Sequence, residues 1–162
     1  MNNLAILMST IIDQPTETRE KISVHLEKLL ADTYTLYLMS HNFHWNVKGT
    51  DFYSYHKMFE EHYLALADAV DEIAERIRAI GFTAPATFRQ FSELTTIDEP
   101  EGIPQPMEMV KIAASAHKEV IKQALKVLEV ADDHHDVVTV DLVTQRLTYH
   151  EKVLWMLNTI LA

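Results

Sequence analysis

Five side chains in the first half of the chain have the types and spacing to hold metal ions. His56 and Glu60 lie four residues apart, and Asp71 and Glu75 lie four apart. At about 100° per residue of α-helix, all four fall within one sector roughly 100° wide, beside an apolar seam. His44, followed by Trp45, lies on the apolar stripe of the preceding segment. Imidazoles and carboxylates next to a core are costly unless something pairs with them, and a bound cation would do so. Mixed nitrogen and oxygen ligands suit Fe, Mn or Zn more than Ca. With no Cys among the 162 residues, thiolate sites and disulfides are excluded.

Helical rise limits what one chain can do with these groups. The His56/Glu60 pair centres near position 58 and the Asp71/Glu75 pair near position 73. Fifteen residues of helix separate the centres by about 22 Å. Ligand bonds of about 2 Å cannot bridge that distance. Two copies packed antiparallel about a two-fold axis near residues 65 and 66 would bring position 58 of one opposite position 73 of the other. Such an axis repeats every contact, so it would carry two equivalent sites. Ala65, Ala67 and Ala69 lie near the crossing and would permit close approach.

The elements that must position these groups are helices. Only 3 Gly and 5 Pro occur, and hydrophobic residues make up 48% of the chain against 23% charged. That composition predicts one all-α globular domain spanning 1–162, with a short N-terminal extension over 1–15. Helical periodicity runs over about 17–47, 52–80, 107–131 and 137–161. Gly49 and Gly81 follow the first two segments, where C-caps are expected. A connector over 82–106 holds all but one of the prolines, and 87–94 within it could form a short helix. The pattern is a ferritin-like four-helix bundle with a long crossover between its second and third helices. Intra-chain di-iron bundles use Glu-x-x-His motifs on facing helices. None occurs here, which leaves the inter-chain site as the candidate.

The formal net charge is −10, which repels phosphate backbones and attracts cations. The apolar run 4–12 is short and no basic residue precedes it, so neither a signal peptide nor a membrane span is expected. A cytoplasmic location is the default.

The stretch His41-Asn42-Phe43-His44-Trp45-Asn46-Val47-Lys48-Gly49, then Phe52, His56-Lys57-Met58-Phe59-Glu60-Glu61 and Asp71-Glu72-Ile73-Ala74-Glu75-Arg76, closely resembles the signature of the Dps miniferritins (DNA-binding proteins from starved cells). The likeness extends over nearly the whole chain, to Asp136, Thr139, Asp141, His150-Glu151-Lys152 and Trp155-Met156-Leu157. It implies a twelve-subunit shell with tetrahedral 23 symmetry. That shell would oxidise Fe(II) with hydrogen peroxide at two-fold interfaces, store Fe(III) mineral in its cavity and so protect against oxidative stress. His44, His56 and Glu60 of one subunit would face Asp71 and Glu75 of another, with Trp45 against the site as a trap for oxidising radicals. Glu60 stands where many members have Asp. Zn and other divalent ions can take the place of iron. Asp136 and Asp141 would line ion-entry pores, and Glu61 would face the cavity.

Members that bind DNA through their ends carry Lys-rich or basic tails. Residues 1–18 hold no Lys or Arg, and twelve copies at −10 each give about −120, which argues against DNA binding. The alternative reading is a nucleoid-associated protector of DNA with a minor iron role; a third is a helical module in which metal such as Zn only holds a dimer together. His62, His117, His150 and Trp155 read as structural, His41 as a candidate support for His44, and His134 and His135 as a solvated acidic turn.

Overall fold

The computed structural model describes residues 10–162, and every regular element among them is a helix. A single 3-10 turn over Ile11–Asp13 precedes five helices: α1 (Thr16–Asn46), α2 (Phe52–Ala79), α3 (Phe88–Leu94), α4 (Pro106–Asp133) and α5 (Val137–Leu161). Of the expected extension over 1–15, residues 1–9 lie outside the described part. Within the rest, Ile11 is buried and joins the core.

Local chemistry accounts for the boundaries. α2 stops at Gly81, which adopts φ 100°, and the Phe82 amide donates back to the Ile77 carbonyl at 3.1 Å. Gly avoids the steric cost of that left-handed conformation. Arg19 of α1 donates from Nη1 to the Ile80 carbonyl at 2.8 Å, which ties the end of α2 to the start of α1. A Cβ on residue 81 would sit 2.6 Å from that same nitrogen. α3 is capped by Thr87, whose hydroxyl accepts from the Gln90 amide. α4 opens on Pro106, which needs no amide partner in a first turn.

α1 packs along α2, α4 along α5, and α1 against α4, while α3 lies on α1. Two helical hairpins therefore form one bundle, joined by the crossover that carries α3. Their core includes Leu26, Leu30, Phe43, Phe59, Leu66, Ile73, Val120, Val127 and Leu157. α1 also buries Asp32, Thr33, Thr35 and Ser40. The hydroxyls bond the carbonyl one turn back, as Thr33 does to Leu29 at 2.7 Å. Asp32 accepts from the Thr95 hydroxyl, the Thr96 amide and the Thr96 hydroxyl at 2.9, 2.6 and 2.9 Å, clasping the crossover onto α1. The expected four long helices, the crossover and its short helix are all present, with ends shifted by at most two residues.

Candidate metal centre

α1 and α2 run as neighbours, and their facing turns bring His44 and His56 together. The rings stack with centroids 3.8 Å apart and planes 19° apart. Each uses Nδ1 on the other residue's backbone: His44 Nδ1 lies 2.8 Å from the His56 carbonyl, and His56 Nδ1 lies 2.8 Å from the His44 carbonyl. A carbonyl only accepts, so both nitrogens must carry the proton. Neutral rings then keep an unprotonated Nε2 on each side chain. That is the tautomer that binds a metal through Nε2, with the ring held in place by its other nitrogen.

Further aromatic groups pack around this pair. Tyr63 of α2 meets His44 edge-on at 5.2 Å and stacks on His41 at 3.9 Å. His41 in turn lies 4.9 Å from Trp45. Burial, with His44 nearby, holds the His41 pKa below its ordinary value. Phe52 covers the other side of His56, with ring centroids 4.9 Å apart. Trp45 itself is 66% exposed.

The carboxylates are differently placed. Glu60 follows His56 by one turn and pairs with Lys57. That ammonium is the main reason its carboxyl titrates below the usual range. Asp71 and Glu75 lie farther along the same helix and are exposed. The face between the two groups carries Leu64, 56% exposed, and the exposed Ala67. Among the described residues, no three His, Asp or Glu side chains converge to enclose an ion within one chain. The structure thus brings His44 and His56 together, puts Glu60 beside them, and leaves Asp71 and Glu75 apart.

The two aspartates near the start of α5 differ sharply. Asp136 is 2% exposed and its carboxylate is engaged inside the chain. It accepts from Arg76 Nη2 at 2.6 Å, from the Thr139 amide at 3.1 Å and from the Thr139 hydroxyl. Arg76 also donates from Nε to the Thr139 hydroxyl at 2.8 Å. Asp141 is exposed, on a shallow surface hollow lined also by Glu72, Glu75 and Gln145. His134 and His135 form the turn between α4 and α5, where His135 takes φ 57°.

The three histidines read as structural form a cluster that sequence reasoning missed. His62 of α2, His117 of α4 and His150 of α5 are 4%, 0% and 1% exposed. They come from three helices, so no spacing along the chain could reveal the grouping. A usable signal was present: each falls on its helix's apolar stripe.

Comparison with known proteins bears on the family and the fold. Residues 24–162 match the model of the ferritin-like domain. The chain is 38% identical to the DNA protection during starvation protein 2 of Bacillus anthracis, over 84% of this chain and 93% of that one. This chain belongs to the Dps family. The fold of Dps from Vibrio cholerae, described as a member of a broad superfamily of ferritin-like diiron-carboxylate proteins, superposes with a TM-score of 0.90 at 28% identity. That match covers 96% of this chain and 98% of the other. A Dps protein from Bacillus brevis superposes at 0.88 with 32% identity, over 92% and 100% of the two chains. As in the sequence reading, the Dps fold is an all-α bundle with a helix in its crossover. No helix among the described residues is long and apolar enough to cross a membrane.

Proposed function

We propose that this Dps-family chain oxidises and stores iron, and that each oxidation site is assembled from two copies of the chain. The observation that carries this reading is the reciprocal Nδ1-to-carbonyl bonding of His44 and His56, which leaves two Nε2 lone pairs side by side where α1 meets α2. Fe(II) is the substrate, held by His44, His56 and Glu60 of one subunit and by Asp71 and Glu75 of the next. Neutral nitrogen donors accept the ferrous ion, and the carboxylates favour the ferric product by their charge. Hydrogen peroxide is the proposed oxidant: two Fe(II) each give up one electron, and one peroxide with two protons becomes two waters. Consuming both reagents together limits hydroxyl-radical chemistry. Trp45 and the aromatic groups beside it would take up stray oxidising equivalents.

The shared site requires an antiparallel pairing of α2 helices, and exposed Leu64 and Ala67 between the two ligand groups supply an apolar strip for it. Twelve such chains forming a 23-symmetric shell, with mineral in its cavity, complete the reading. Asp141 would attract iron at the pore, whereas Asp136 would act there by holding the helix start in place. The net charge of −10 makes DNA a poor partner and a cation cargo a good one. A cytoplasmic location, with Zn able to occupy the same ligands, belongs to this proposal.

Mixed assemblies test the sharing directly. One variant carries His44→Ala and His56→Ala; the other carries Asp71→Ala and Glu75→Ala. Neither alone can build a whole site. Random co-assembly regenerates one whole site in each mixed pair, about one quarter of all sites. Iron oxidation should therefore return to about a quarter of the unmodified rate on refolding the two together. Recovery of nothing, or full rates in either variant alone, would reject a shared centre.

A further inference from the structure

The core of the bundle holds a second set of metal-ligand side chains, remote in sequence from the shared site except for His62. His117 and His150 point Nδ1 at Nδ1, 2.8 Å apart, so one proton lies between them. Their ring centroids are 5.0 Å apart, and those of His62 and His117 are 5.6 Å apart. His62 Nδ1, His117 Nε2 and His150 Nε2 are all buried without a hydrogen-bond partner, as is the Tyr149 hydroxyl. Buried polar atoms are almost always paired, and an unpaired one is costly. The His62 Nδ1 orphan lies on the ring next to the His117–His150 pair, where an ion held between the three rings would take it up.

We propose that His62, His117 and His150 bind one divalent cation of the Zn(II) or Co(II) class inside the bundle of each subunit. Imidazole nitrogens suit these ions. At metal–nitrogen bonds of 2.0–2.1 Å, tetrahedral ligands put two donor nitrogens about 3.3 Å apart and their ring centroids about 5 Å apart. Two of the three spacings, His117–His150 at 5.0 Å and His62–His117 at 5.6 Å, are already close to this. The rings do not converge on one point here, because the proton shared by His117 and His150 draws those two nitrogens closer than two ligands would sit. Replacing that proton by a cation needs the pair to open by about half an ångström and His62 to turn toward it. Burial keeps the His117 and His150 rings in the neutral form that binds metal. Access exists, since His62 and Tyr149 line a half-open cavity of about 410 Å³ together with Met58, Glu61, Lys152 and Met156. Glu61 at its wall attracts a cation and Lys152 opposes it; the three neutral nitrogens are the groups that would hold the ion.

The assay uses the assembled protein carrying His44→Ala and Asp71→Ala, so that the shared centre is disabled. Cobalt(II) titration should show one tightly held ion per chain, with the visible bands of four-coordinate cobalt, displaced by Zn(II). Adding His117→Gln should abolish those bands, and adding His62→Leu should weaken binding at least tenfold. Crystals of the background variant soaked in cobalt provide a measurement independent of the folding of any core variant. Anomalous scattering should place the ion about 2.1 Å from three imidazole nitrogens. Absence of a peak between the three rings overturns the proposal, as does cobalt binding unchanged in a folded His117→Gln protein. Neither failure bears on iron oxidation at the shared centre.

Discussion

Replacing Asp136 by Asn separates a clamp from a pore. Asn has the same shape and can still accept from the Thr139 amide, so the helix cap survives and only the charge is lost. What remains is the Arg76 guanidinium, 11% exposed at its side chain, without its counter-charge. Removing one partner of a buried ion pair costs about 3–5 kcal/mol. Partial access of Arg76 to water puts the loss at the low end, about 3 kcal/mol. For a chain of this length each kcal/mol moves Tm by roughly 2–4 °C, so Asp136→Asn should melt roughly 6–12 °C lower. Asp141→Asn, exposed and bonded only to Gln145, should change stability by less than about 0.5 kcal/mol and slow iron uptake instead. Calorimetry at fixed protein concentration and stopped-flow iron oxidation measure the two effects. A Tm within 2 °C of the parent for Asp136→Asn would refute the clamp. Unchanged iron uptake for Asp141→Asn would refute its pore role.

Leu64→Arg puts a charge on the exposed strip between the ligand groups and should yield subunits unable to pair, seen by light scattering, with iron oxidation lost and helicity kept. Asp32→Ala removes the acceptor for three hydrogen bonds from Thr95 and Thr96 and should cost about 3 kcal/mol in urea unfolding, with exchange of the crossover amides accelerated first. Burial holds His150 down at about 3 and His117 well below its ordinary value, so both are neutral in the fold and take up protons only on unfolding. The unfolded chain binds more protons below about pH 6.5, so stability should fall as pH drops from there, by up to about 1.4 kcal/mol per pH unit for each ring. Urea midpoints between pH 7 and 5 in the presence of chelator measure this, and His150→Leu should flatten the slope.

Helix positions and the ligand spacing were legible in the sequence because both are local. Apolar periodicity marks α1, α2, α4 and α5, and a constant rise per residue is enough to show that His56 and Asp71 of one chain cannot grip the same ion. Tertiary structure decided what depends on one helix meeting another. It assigned the tautomers of His44 and His56 through carbonyls twelve residues away, and it turned Asp136 inward to Arg76, sixty residues distant. It also gathered His62, His117 and His150 into one layer of the core from three helices. A sequence records side-chain type and local period, but the partner that protonates, pairs or orients a buried group is set only by packing across the bundle.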